Sequence, residues 1–434
     1  MSTVDDTNST SLPSAIWRLL SKYGREIQFP KAGILGQSAQ AKQAEINATI
    51  GVALGDDGQP MSLPSLLGEM GLPPGKALSY APSFGVQALR ESWRSRVAEM
   101  YPEVEGFQSS LPVVTSALTH ALYLAGKLLL NETDVVVLPD LFWGNYRLIF
   151  ERSFGVRFET YPTFRDGGYN VTGCLDAVKK NEGKRVLVIL NFPHNPTGYA
   201  CSQQEALTLT QGLSSLAEAR DGLAVLVDDA YHGLYFDESA YGKSLFGLLG
   251  TASPKLLAVK VDGPTKEDYA WGLRVGFLTY AFAGSTEEGL TVLADKTAGA
   301  VRGTISNASH LSQTLLEHLS RHPNYVAEKQ MNFAQMKARY VALTDAFNRQ
   351  ADFDKRFERY PVNAGYFLCL KPLNVNAETL RLALLNDYKV GVIATQGLIR
   401  IAFSSVPTNR LADLVTRLVK AYDGCVDRNA SGQS

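Results

Sequence analysis

Three short stretches of this 434-residue chain gather polar groups of the kinds that catalysis uses. Asn191-Phe192-Pro193-His194-Asn195-Pro196-Thr197-Gly198 is rich in amides and turn residues, Asp228-Asp229-Ala230-Tyr231 brings carboxylates and a phenol, and Asp262-Gly263-Pro264-Thr265-Lys266 ends on an amine. A lysine held in a partly apolar pocket loses proton affinity and becomes an imine-forming nucleophile. A carboxylate at a neighbouring position can pair with a protonated ring nitrogen. Together, a lysine imine and an aspartate opposite a pyridinium are how proteins hold pyridoxal phosphate as an electron sink. Asn195 and Tyr231 can donate hydrogen bonds to the phenolate oxygen of such a ring, favouring its charged form. The stretch Thr115-Ser116-Ala117-Leu118-Thr119 opens a helix, and a helix N-terminus with a free hydroxyl is a natural phosphate seat. Trp143 is placed to stack on a flat ring. Arg400 lies inside an apolar run and needs a partner for its charge, either a substrate carboxylate gripped bidentately or a structural ion pair.

Taken singly, these residues have plainer readings: Lys266 as a solvated loop lysine, Asp228 as a strand-end cap, Asn195 as a turn residue before Pro196, Trp143 as core. Their placement is what changes the reading. Short β-branched runs at 135–138, 186–190, 224–227 and 256–261 predict buried strands, and 119–130, 203–220 and 287–301 have helical spacing. Such alternation is the pattern of a mostly parallel sheet covered on both faces. Ligands bind beyond the carboxyl ends of the strands in open α/β sheets, and the Asn, Asp and Lys stretches each follow one of these runs. From about His310 the pattern changes to a long helical stretch through 346, strands at 366–370 and 399–403, and a closing helix at 409–422. The architecture expected is therefore a large α/β domain followed by a smaller α+β C-terminal domain.

The ordered set of motifs resembles the fold type I pyridoxal-phosphate enzymes, and among them the aspartate aminotransferase group of the class I/II aminotransferases. The resemblance runs from about Ile46 to Phe403. It is carried by HNPTG at 194–198, D-x-A-Y at 228–231, and Lys266 followed eight residues later by Arg274 within GLRVG. Weaker supports are INATIGV at 46–52, Tyr80-x-Pro82 with Gly85, Trp143-Gly144-Asn145, Arg302 before Ser306-Asn307, and RIAF at 400–403. The resemblance implies a seven-stranded type of sheet and a homodimer with shared active sites. It also implies a role for each matching residue. Lys266 would carry the cofactor and shuttle a proton. Asp228 would keep the pyridine nitrogen protonated, Tyr231 and Asn195 would bond the ring oxygen, and Trp143 would cover the ring. Arg274, Thr119 and the backbone at Ala117 and Leu118 would hold the phosphate, with Tyr80 reaching the phosphate of the neighbouring subunit. Arg400 would clamp the α-carboxylate under Gly51, and Arg302 would meet a distal carboxylate in the neighbouring site. Two departures stand out. Gly263 replaces the serine frequent three residues before the lysine, and Ala117-Leu118 replaces the glycine usual in the phosphate turn.

The implied activity is transfer of an amino group between an L-amino acid, aspartate, glutamate or aromatic, and a 2-oxo acid by a ping-pong cycle. The alternative is elimination, replacement or oxidase chemistry on the same scaffold, for example with an S-adenosylmethionine-like substrate. A nucleotide-binding reading fails, since there is no G-x-G-x-x-G and Asp237 stands where the first glycine of a P-loop ending at Gly242-Lys243-Ser244 should be. Lys+Arg 42 against Asp+Glu 43 leaves no basic field for nucleic acid or an anionic membrane. The four cysteines form no C-x-x-C, and no metal site is expected. No apolar run is long enough for a membrane span and no secretory signal is seen, so a cytoplasmic enzyme is expected. The domain boundaries expected are a disordered tail at 1–13, an N-terminal segment at 14–60 that closes the site against the small domain, the large domain at 61–309, the small domain at 310–426, and a disordered tail at 427–434.

Overall fold

The computed structural model describes residues 33–430 apart from 69–70, 73, 102–103 and 105. Its central sheet has seven strands: β1 (Val113–Ser116), β2 (Val135–Pro139), β3 (Arg157–Tyr161), β4 (Val186–Asn191), β5 (Leu223–Asp228), β6 (Leu256–Asp262) and β7 (Val275–Ala281). They lie in the order β1-β7-β6-β5-β4-β2-β3. Every residue of β2, β4 and β7 is buried, which is why these strands read as unbroken apolar runs rather than alternating ones. β7 runs antiparallel to both neighbours, and the other pairings are parallel. The register sets Asn191 beside Asp228 and Asp228 beside Val261, so the carboxyl ends of β4, β5 and β6 are level. Because β7 is reversed, its first residues arrive at that same end of the sheet.

Helix α1 (Ala117–Leu129) starts directly from β1. α2 (Gln203–Glu218) is fixed at its start by a capping box between Ser202 and Glu205, and α3 (Glu287–Thr304) follows β7. The single helical stretch expected over 310–346 is in fact two helices, α4 (His310–Arg321) and α5 (Tyr325–Asn348). The break falls at His322-Pro323, where proline has no N–H to give and drives the residue before it into an extended conformation; His322 has ψ 131°. The smaller sheet is antiparallel, β8 (Phe357–Arg359), β9 (Phe367–Pro372), β10 (Ile393–Thr395) and β11 (Leu398–Ala402), in the order β8-β9-β11-β10.

The closing helix α6 (Leu411–Ala430) is longer than expected and passes Asp427, where the polar tail was placed. Leu411, Leu414, Leu418, Ala421 and Cys425 bury a continuous stripe, and a helix anchored this way propagates at low cost into polar residues beyond it. The expected tail at 1–13 lies outside the described residues, as do residues 431–434.

Residues 46–56 join the small sheet to the site. Ile46–Asn47 pairs in parallel with Val390–Gly391, Ala402 N–H donates to Ala48 O at 2.8 Å, and Leu54 N–H donates to Ser404 O at 3.0 Å. Arg339, fully buried on α5, donates to Ser404 O at 2.5 Å and pairs with Asp56 at 2.9 Å. A buried guanidinium without these partners would cost several kcal/mol, so the segment is held by charge as well as by strand pairing.

At the β1–α1 junction Ala117 takes the left-handed conformation, φ 62°, and its N–H donates to Arg274 O at 3.0 Å. The crossing is close. A Cβ on Gly276 would lie 2.5 Å from the carbonyl carbon of Ala117 and 2.7 Å from the nitrogen of Leu118. Gly276→Ala should therefore push this turn off the sheet, lowering stability by about 1–3 kcal/mol as overpacking does. Thermal unfolding checks the loss, and an unchanged Tm would show that the turn has room to yield.

Candidate active site

The level strand ends open into a cavity of about 460 Å³. Leu118, Thr119, Trp143, Asn195, Asp228, Tyr231, Lys266, Arg274, Gly51 and Arg400 all line it. Ala117 stands one residue behind, at the start of α1. Tyr80 is 89% exposed and Arg302 is exposed on α3, bonded to Ser306 Oγ at 2.9 Å; neither lines the cavity of its own chain.

Lys266 follows β6 on the short helix Pro264–Glu267. Removal from water pushes its ammonium down to about 8, with Asp228 opposing the shift and Arg274 adding to it. Its Nζ lies 4.8 Å from the centre of the Tyr231 ring. Asp228 ends β5 and is buried; Tyr146 Oη donates to its Oδ2 at 2.5 Å and Ala230 N–H to its Oδ1 at 3.1 Å. Burial pushes this carboxyl up, and Tyr146, then Lys266, pull it back.

Asn191, at the end of β4, ties the two neighbouring ends together. Its Nδ2 donates to Asp228 O at 2.7 Å, while its Oδ1 accepts from Asn195 N–H at 2.9 Å and so sets the turn that presents Asn195. Burial pushes the Tyr231 phenol up, with Arg400 and Asn195 acting against it and Asp228 with it.

Arg400 is 3% exposed. Its Nη1 reaches Asn195 Oδ1 at 3.4 Å and its Nη2 reaches Thr49 O at 3.3 Å, both long bonds, and its Nε has no partner. Among the described residues no carboxylate pairs with it. Arg274 stands exposed at the other end of the cavity, in the left-handed conformation that ends the turn before β7, beside Thr119 and the first amides of α1.

These residues fit pyridoxal phosphate. Arg274, Thr119 and the amides behind Leu118 could seat an anion, Asp228 could pair with a cationic ring nitrogen, and Lys266 has the lowered proton affinity that imine formation needs. The missing serine has a backbone cause. A Cβ on Gly263 would lie 2.8 Å from Val275 O and 3.1 Å from Gly276 Cα, so only glycine fits there. Thr265 lines the cavity, and its hydroxyl has no protein partner.

Residues 49–418 match the family described as aminotransferase class I and II. The chain belongs to that family. Among curated relatives it is 30% identical to the methionine aminotransferase of Escherichia coli over 205 residues, 46% of this chain and 49% of that protein. It is 28% identical to the 2-aminoadipate transaminase of Thermus thermophilus over 359 residues, 80% of this chain and 82% of that protein. The chain spans about half the length of several curated relatives that it matches. Among solved structures, an aminotransferase from Anaerococcus prevotii superposes with a TM-score of 0.83 at 23% identity, covering 93% of this chain and 99% of that one. The fold is thus the fold type I architecture of these aminotransferases.

Sequence reasoning missed Tyr146 and Phe367. Asn191 was named at a strand end but given no role. The signal for Tyr146 was its place three residues after Trp143, one helical turn on. Phe367 carries no sequence signal, because only the pairing of β9 with β11 brings it to the cavity.

Two outcomes follow from this geometry. In the cofactor-free protein, the rate at which Lys266 captures a simple aldehyde should rise with pH through a midpoint near 8, as the ammonium gives up its proton; a midpoint above 10 would mean that the amine is hydrated. Tyr146→Phe removes the hydrogen bond that lowers the proton affinity of Asp228, so the carboxyl should titrate higher and hold a cationic ring less well. Cofactor affinity should fall about tenfold, as expected for losing one charge-assisted hydrogen bond, and titration of the cofactor-free variant with pyridoxal phosphate measures it.

Proposed function

We propose that the chain is a pyridoxal-phosphate-dependent aminotransferase that moves an amino group between an L-amino acid and a 2-oxo acid by a ping-pong cycle. One observation carries the reading: Arg400 is a buried cation without a counter-ion among the described residues, in the same cavity as a proton-poor lysine and a buried carboxylate. A buried guanidinium left with long bonds and an idle Nε is held ready for a carboxylate. When bound, pyridoxal phosphate supplies an electron sink beside the substrate's α-carbon.

The chain's own residues do the rest. Arg274, Thr119 and the backbone of Ala117 and Leu118 would bind the phosphate, and Asp228 would keep the proton on the ring nitrogen. Asn195 and Tyr231 would donate to the ring oxygen, and Trp143 would cover the ring face. Lys266 would hold the cofactor at its aldehyde carbon and, as a free amine, would carry a proton between the substrate's α-carbon and that carbon. Arg400 clamps the α-carboxylate, and Gly51 on the 46–56 segment shields that end from water. Tyr80 and Arg302, which are exposed and do not line their own cavity, would act across a two-fold axis in a homodimer, Tyr80 on the partner's phosphate and Arg302 on a distal carboxylate such as that of aspartate or glutamate. The domain limits that suit this arrangement, in a cytoplasmic enzyme, are 61–309 and, with α6 running on to Ala430, 310–430; of the closing segment expected at 14–60, residues 14–32 lie outside the described residues and 33–60 are described.

The visible spectrum of the purified protein with pyridoxal phosphate tests the reading. A protein-bound band should convert, on adding aspartate, glutamate or an aromatic amino acid singly, to the shorter-wavelength band of the aminated cofactor, and a 2-oxo acid should reverse it. Lys266→Ala should abolish turnover while the protein remains folded. A bound band that no amino acid converts would overturn transamination.

A further inference from the structure

Arg400 has few anchors for a residue that must meet a carboxylate edge-on. Its two side-chain hydrogen bonds are 3.3 and 3.4 Å long, and its Nε has none. The guanidinium also sits over an aromatic face. The register of β9 with β11 sets Cys369 opposite Arg400 and Phe367 opposite Ala402. Phe367 is two residues from Cys369, so it shares that face of the sheet and is the diagonal neighbour of Arg400, within reach of a long side chain. The Arg400 Cζ lies 4.3 Å from the centre of the Phe367 ring.

The ring is itself pinned. It is 2% exposed and meets the Tyr231 ring edge-on at 5.7 Å. Its tip abuts Gly51, where a Cβ would lie 3.3 Å from Phe367 Cζ. A guanidinium lying on a ring spends only its face, so its in-plane N–H groups stay free for a bidentate partner.

We infer that Phe367 is a positioning residue that holds the Arg400 guanidinium in the plane a substrate α-carboxylate needs, with Gly51 seated against the ring's tip. The inference rests on Arg400 being the carboxylate clamp of the proposed aminotransferase. Phe367 touches the reaction only through Arg400, so its loss should be felt by substrates that carry an α-carboxylate and not by those that lack one.

The test compares an amino acid with the primary amine that has the same side chain and no carboxylate, following conversion of the bound cofactor band. Phe367→Leu should raise the half-saturating amino-acid concentration about tenfold and leave that for the amine within about twofold. Replacing Phe367 by its 3-fluoro and 3,5-difluoro analogues keeps the ring, leaves its tip at Gly51 unchanged and drains charge from its face. The amino-acid value should then rise stepwise with fluorination, while cofactor affinity holds. Equal losses for amino acid and amine, or no trend across the fluorinated series, would overturn the role of Phe367. Arg400→Leu is the control: if it fails to separate amino acid from amine, the reading of Arg400 falls first, whereas a clear separation there with none at Phe367 sinks only this inference.

Discussion

The carboxylate of Asp228 is buried at the end of a strand inside an apolar sheet, and removing such a charge from water costs several kcal/mol unless something answers it. Two donors do so in this chain, the Tyr146 hydroxyl and the Ala230 amide, and the Lys266 ammonium faces the same charge. The arrangement is balanced between the amine and the carboxylate. Asp228 raises the proton affinity of Lys266 while burial lowers it further, so the lysine ends at about 8, close enough to neutrality to act as a nucleophile. On the proposed reading, a cationic ring nitrogen brought to Asp228 would take over the role of counter-ion, so that binding the cofactor and freeing the lysine would both depend on one buried charge.

The sheet makes that balance possible by holding its ends level. Asn191, Asp228 and Asp262 finish three adjacent parallel strands, and the Asn191 side chain bonds both the neighbouring strand end and the next turn. Reversing a single strand, β7, then returns Arg274 to the same edge, opposite the start of α1. The contact is tight enough that two glycines are obligatory, Gly263 and Gly276, because in each case an added Cβ would run into backbone. The absence of a side chain at position 263 follows from this packing, and it leaves Arg274, Thr119 and main-chain amides as the candidate anion seat.

Much of this was legible in the sequence where chemistry and chain order coincide. Four of the buried strands were readable as apolar runs because both faces are covered, and the polar residues right after three of them marked the site. The Lys266–Asp228 pair, Asn195, Tyr231, Arg274 and Arg400 were all identifiable, and the structure brings them into one cavity. What escaped depends on geometry across the chain. Phe367 lies 33 residues before Arg400 and meets it only through strand register. Tyr146 was hidden because a tyrosine in a helix next to Trp143 is as suited to packing as to bonding. The break between α4 and α5 needed the local rule that proline imposes on His322 to outweigh a long helical periodicity.

The two ends of the cavity differ in how far apart along the chain their parts lie. Lys266 and Arg274 are joined by a turn, and Ala117 to Thr119 are consecutive. By contrast, Arg400 meets Thr49 across 351 residues and Asn195 across 205. Loop closure costs more chain entropy as the loop lengthens. The Arg274 end can therefore take shape from local turns on a sheet already in place. The Arg400 end exists only after the two extremes of the described chain have found each other, which makes the carboxylate grip proposed for Arg400, rather than the phosphate seat proposed at Arg274, the feature that would report complete folding.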